Sequence, residues 1–167
     1  MHKRTFLSTL LATTLTACGF RLRGAPEFGF TSLYIQAPDH SAIARQLRTT
    51  LHSASHRLTL LSEPDQLPKA QAVLELLDER QERVAVGLNA AGQVRELQLR
   101  LVLRFRLRGQ QGQEWIPDTE LLQQRDVSYS ESIALAKESE EALLWRDIHA
   151  DVVQQLLRRL AAVQPQP

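Results

Sequence analysis

The residues with the most specific chemistry lie near the N-terminus. Met1-His2-Lys3-Arg4 is a short basic start, and Phe6 to Ala17 is an uncharged apolar and hydroxylated run that ends in Leu15-Thr16-Ala17-Cys18. The run is well short of the roughly 20 apolar residues a spanning helix needs. Its proportions are those of a secretory leader. The residues before Cys18 match a bacterial lipobox, in which small side chains admit the peptidase and only a thiol forms the thioether to a diacylglyceryl group. Cys18 is the only cysteine, so it is the expected lipidation site, carrying diacylglyceryl and N-acyl lipid. Several acyl chains on one residue anchor a protein firmly, whereas one alone binds marginally. Gly19 follows the cysteine where an Asp would signal retention in the inner membrane of a Gram-negative cell, so the expected destination is the outer membrane, facing the periplasm. No other cofactor is expected.

A second group of chemically able residues lies on one strand-like segment. Leu97, Leu99, Leu101, Leu103, Phe105 and Leu107 share one parity; Gln98, Arg100, Val102, Arg104, Arg106 and Arg108 share the other. Period two over this length makes a strand with one buried face and an arginine stripe on the other. Two readings of the stripe stay open. Arginine binds phosphate bidentately, and in an outer membrane the abundant polyanion is lipopolysaccharide. Equally, the arginines can pair with acids on neighbouring strands, such as Glu75, Asp78, Glu120 or Asp126. Nucleic acid is not an expected partner, because no aromatic platform interleaves the arginines.

Composition sets the frame for both groups. The chain has 167 residues, 43% hydrophobic and 23% charged, which is ordinary for one globular domain. Loss of Lys3 and Arg4 with a leader through Ala17 takes the formal charge from +1 to −1. Attraction to anions must then come from local patches. A lone cysteine excludes an internal disulfide and an all-cysteine metal site. No nucleophile elbow, zinc-protease helix motif or dinucleotide fingerprint is present. His52 and His56 stand at a helix end with no acidic residue between them, which fits solvated histidines better than a metal pair.

The elements that position these groups follow from periodicity. Residues 1–17 form the leader, 18–30 a lipidated tether, 31–163 a single domain and 164–167 a tail. Thr31 to Gln36 alternates as a first strand, and Pro38-Asp39 offers an N-cap. Ile43, Leu47 and Leu51 define an amphipathic helix from Ser41 to Ser53. Leu58 to Leu61 is a possible short edge strand. Gln71 to Leu88 reads as two strand-like halves joined by an exposed bend at Glu79 to Arg83. Asn89-Ala90-Ala91-Gly92 marks a hairpin turn before the arginine strand, and Gly109 to Gly112 a loop after it. Trp115 falls in a loop beyond it, and Glu120 to Ser130 is a weakly alternating strand. Trp145, Ile148, Val152, Leu156 and Leu160 trace a C-terminal helix with Arg158 and Arg159 in its last turn. The expected fold is α+β, with two helices packed on one face of a mainly antiparallel four-stranded sheet.

Several short motifs together are similar to one family. Cys18-Gly19-Phe20, Leu22-Arg23-Gly24, Gly92-Gln93 ahead of the long strand, Ala134-Leu135-Ala136-Lys137-Glu138 and Leu156-Leu157-Arg158-Arg159-Leu160 resemble the LptE lipopolysaccharide-assembly lipoproteins along essentially the whole mature length. The resemblance implies a domain lodged in the lumen of the LptD β-barrel, which assists barrel folding and binds lipopolysaccharide. It assigns lipopolysaccharide binding to Lys137. At the family's other basic position this sequence has Ala90 and Ala91, and Arg95 is the nearest substitute. With Arg95, Arg100, Arg104, Arg106 and Arg108 as further candidates, two alternatives remain: a lipid-anchored envelope hydrolase, and a lipoprotein that binds only protein partners.

Overall fold

A computed structural model of the chain describes residues 27–54, 57–128 and 134–165, of which 54 and 134–137 are described by backbone alone. Cys18, the expected lipidation site, the expected leader, most of the expected tether, and His56 lie outside the described residues. The elements are β1 (Ser32–Gln36), α1 (Ala42–Ala54), β2 (Thr59–Leu61), a 3-10 turn (Pro64–Lys69), β3 (Ala72–Leu88), β4 (Val94–Gly109), β5 (Glu114–Ser128) and α2 (Ala134–Ala161). The Ala-Leu-Ala-Lys motif is therefore the first turn of α2 itself. No described helix is long and apolar enough to cross a membrane.

The fold is α+β, but the sheet differs from the expected four antiparallel strands. It has five strands in the order β2-β1-β3-β4-β5, with β1 parallel to both β2 and β3. The reason is the path of α1. A strand-helix-strand crossover returns the chain to its starting end, so the next strand runs parallel to the first. From β3 onward tight turns suffice, and β3, β4 and β5 form an antiparallel meander. Gly92 and Gly112 take positive φ in the two turns, of 78° and 85°, where a side chain would be strained. Asn89 Oδ1 accepts from the Ala91 and Gln93 amides to close the first turn.

The core is one layer between sheet and helices. Leu99, Leu101, Leu103, Phe105 and Leu107 of β4 are fully buried, together with Leu33, Leu74, Ile43, Leu47, Ile148, Val152 and Leu156. Each such side chain contributes about 1.5–3 kcal/mol by leaving water. Phe28 and Phe30, at the end of the stretch read as tether, pack onto the same core. Trp115 is the second residue of β5 instead of a loop residue, and its ring lies 6.0 Å from that of Phe30.

The charged segment Glu79 to Arg83 is not a bend. It continues β3 without a break, and a register shift between Leu76 and Asp78 reverses the faces. Before the shift Leu74 and Leu76 face the core. After it Glu79, Gln81 and Arg83 stand opposite Leu103, Leu101 and Leu99, on the helix side. Each then contacts a helix. Gln81 Nε2 lies 2.9 Å from His149 Nε2, and Arg83 is 3.1 Å from Glu141. Glu79 accepts from the Ser41 hydroxyl at 2.5 Å and the Ala42 and Ile43 amides at 3.2 and 3.4 Å. Ser41, rather than Asp39, is the cap of α1, its Oγ accepting from the Ala44 amide at 2.9 Å. A carboxylate at the positive end of the helix dipole, also bonded to the cap, is favourable. Glu79→Ala is expected to lower stability by about 1–2 kcal/mol, measured by urea unfolding, while Glu82→Ala on the opposite face changes it little.

Candidate functional site

The arginine stripe lies on the face of β4 that the helices leave open. Register decides what each guanidinium meets. Arg106 stands opposite Glu75, and Arg104 stands opposite Asp78 on one side and Glu120 on the other. The side chains complete the pattern. Arg106 Nε and Arg108 Nη2 both donate to the Glu75 carboxylate, and Arg104 donates to Asp118. Arg100 Nε donates to Gln98 Oε1 at 2.6 Å, and Gln98 Nε2 donates to Asp126 Oδ1 at 2.7 Å. All four stripe arginines therefore have partners within the sheet.

Glu75 is the centre of this network. Its side chain is 6% exposed, and burial by itself would raise its pKa. The hydrogen bonds and charges of Arg106 and Arg108 outweigh that and hold the carboxyl below its usual range. A buried carboxylate with two guanidiniums is a stable arrangement only while all three groups remain. An external phosphate would have to displace Glu75, which is fixed to the strand beside it.

Arg95 has a different setting. It is exposed near the start of β4, and among the described residues it makes no hydrogen bond or ion pair. The backbone brings the first turn of α2 to the same end of the molecule. Strand β5 finishes at Ser128 opposite Glu96, and α2 begins at Ala134. The elements carrying Arg95 and Lys137 thus lie toward the same end of the domain, the latter residue known here only by its backbone. The structure separates them from Arg106 and Arg108, which lie about 40 Å further along the same strand at ~3.4 Å per residue. Glu75, Asp118, Gln98 and Asp126 are the partners that decide the character of the stripe. Glu75 and Asp126 were candidates by type, whereas Asp118 was hidden by the register shift between Phe105 and Leu107. Among the described residues no group of three or more His, Cys, Asp or Glu could hold a metal.

The sequence model of the LptE family, described as lipopolysaccharide-assembly, matches residues 30–160. The chain belongs to the LptE family. Solved structures agree with this. The solution structure of lipoprotein B from Nitrosomonas europaea is 28% identical, covers 86% of this chain and 91% of its own, and superposes with a TM-score of 0.74. Two further structures share the fold: the rare lipoprotein B from Shewanella oneidensis (22% identical, 78% and 94% covered, TM-score 0.65), and a minor lipoprotein from Acinetobacter baumannii (24% identical, 83% and 98% covered, TM-score 0.62). No curated protein sequence matches the chain significantly. In this LptE-family domain the paired stripe makes a pH prediction. A carboxyl held low in the fold stabilises it above its unfolded pKa of 4.5 and ceases to do so as pH falls through the folded value. Glu75→Gln is expected to cost about 1.5–3 kcal/mol at neutral pH, and to flatten the loss of stability below pH 4.5 in acid titrations of urea unfolding.

Proposed function

We propose that this protein is a non-enzymatic outer-membrane lipoprotein, anchored through Cys18, that lodges in the lumen of an LptD-type β-barrel, assists its assembly and binds lipopolysaccharide. The observation that carries the reading is the family match over residues 30–160. The geometry supports it in two ways. The open sheet face is polar, and its arginines are already matched by acids and amides, which suits a polar barrel interior better than lipid. Strand β4, of 16 residues, is roughly 50 Å long, more than the ~30 Å hydrocarbon thickness of a bilayer. A domain tethered at one end can therefore present its other end near the opposite leaflet.

Within this reading the ligand contacts divide. Lys137 and Arg95 belong to elements that start toward the end far from the tether, and there a lipid A phosphate would meet cations that no acid has claimed on Arg95's side. Arg100, Arg104, Arg106 and Arg108 belong to the partner-facing wall. Their internal pairing is also the observation that favours the second reading, a lipoprotein whose sheet meets protein alone.

Two measurements test the proposal, and the second separates it from the protein-only reading. Pull-down of the tagged, lipidated protein from detergent-solubilised outer membranes is expected to recover a large β-barrel in equal stoichiometry. Recovery of the lipoprotein alone, under conditions that keep other barrel complexes intact, would overturn the reading. In a binding assay with purified lipopolysaccharide, Lys137→Glu is expected to weaken binding about tenfold, and moderate salt to weaken the wild type. Arg106→Ala should change it less than twofold. Equal binding by wild type and Lys137→Glu leaves the protein-only reading standing.

A further inference from the structure

The open sheet face and the outer face of α2 both mix charges of the two signs: Arg104, Arg106 and Arg108 stand among acids, and exposed Arg146 is followed by exposed Asp147. Helix α1 differs. Ala42–Ala54 contains no acidic residue. Its Arg45, Arg48, Thr49 and His52 are all exposed, and their spacing of three, four and seven residues puts them on one stripe. The stripe looks away from the core, where Ile43, Ala44, Leu47 and Leu51 are buried.

Neither arginine of the stripe has an ion pair among the described residues. Each is tied by one nitrogen to a main-chain carbonyl instead. Arg45 Nη1 donates to the His40 oxygen at 3.1 Å, and Arg48 Nη2 donates to the Ile35 oxygen at 3.0 Å. Such a bond orients a guanidinium without neutralising it and leaves its other N–H groups to donate. The acids nearest the helix start do not claim them. Glu79 is occupied by Ser41 and the α1 amides, and Asp39 makes no ion pair among the described residues. Guanidiniums already held in place lose little freedom on meeting a carboxylate.

The kind of partner follows from what surrounds the stripe. Its neighbours Gln46, Thr50 and Ser53 are polar, so α1 has no free apolar side chain to enter a bilayer, and two arginines alone hold an anionic leaflet weakly. A helix face is convex, which suits a broad surface better than a small anion. Carboxylates on a protein wall match both the forked donors and the shape. We propose that the α1 stripe docks on an acidic patch of the barrel's inner wall. The inference rests on the lumen reading above and names the face that supplies its charge contacts: α1, rather than the arginine-bearing sheet.

Competition for the barrel tests this. The tagged, lipidated full chain is produced beside an equal amount of the untagged chain, which keeps the barrel assembled, and the barrel recovered through the tag is measured. Arg45→Glu/Arg48→Glu is expected to lower the tagged share at least fivefold. Arg146→Glu/Arg158→Glu, the same charge change on α2, should lower it less than twofold. Arg45→Gln/Arg48→Gln is expected to lose at least twofold, and it decides the matter if the reversal variant does not fold. An undiminished share for both α1 variants overturns the inference, as does an equal loss from the α2 variant, which would mark net charge alone. A nitroxide on Thr49→Cys that is shielded only in phosphatidylglycerol vesicles, with barrel share unchanged, would assign the stripe to lipid and overturn it too. The lumen reading fails separately, if the tagged wild type recovers no barrel at all.

Discussion

The two-sidedness of β4 is the constraint on which the rest of the domain depends. Its core parity is filled by Leu99, Leu101, Leu103, Phe105 and Leu107, all fully buried, and its other parity carries Arg100, Arg104, Arg106 and Arg108. A slip of one residue would exchange these faces and put four guanidiniums under the helices. The register is therefore held against a penalty far larger than any single hydrogen bond. Because β4 pairs with β3 on one side and β5 on the other, its register dictates theirs. Both helices then pack on whatever surface the leucine ladder presents.

That constraint also governs the electrostatics. Fixing β4 against β3 sets Glu75 opposite Arg106 and within reach of Arg108, and fixing it against β5 brings Asp118 to Arg104. The stripe is thus neutralised by the same pairings that build the sheet. A row of arginines in a sequence signals anion binding only when the neighbouring strands fail to supply acids, and here they supply them. Exposed cations without a partner among the described residues include two where sheet pairing or helix ends: Arg95 beside the β3–β4 turn, and Arg159 at the close of α2.

Legibility in the sequence followed the same division. The leucine ladder of β4, the helical spacing of Ile43, Leu47 and Leu51, and the turn at Asn89 to Gly92 were readable because each rests on local period or turn chemistry. The parallel placement of β1 was not, since strand direction depends on where α1 returns the chain. Glu79 to Arg83 looked like a bend because one extra residue at Leu77, itself 38% exposed, breaks the alternation. With that residue discounted, Glu79, Gln81 and Arg83 fall on one face and become the contacts to α1 and α2. Trp115 was placed in a loop because Gly109 to Gln113 reads as loop and Pro117 follows. Pro117 is tolerated because β5 is an edge strand. Of the site, residue types were legible and partners mostly were not, because partners are set by register shifts that a single sequence does not display.

The arrangement gives the molecule a polarity that bears on its role. Phe28 and Phe30, the β4–β5 turn and the end of α2 gather at one end; the β3–β4 turn, Arg95 and the start of α2 lie toward the other. Between them lies a stiff meander of long strands whose open face has its charges internally matched. Such a body transmits position well, because extended strands cross-linked by ion pairs bend little, and it offers few unmatched charges along its flank to hold a passing polyanion. An anionic lipid would meet resistance to binding along the wall and attraction at the far end. In the reading proposed above, a wall that does not retain the ligand and a tip that engages it is a more useful distribution of cations than a continuous basic stripe. A stripe that bound phosphate along its whole length would slow release at every step.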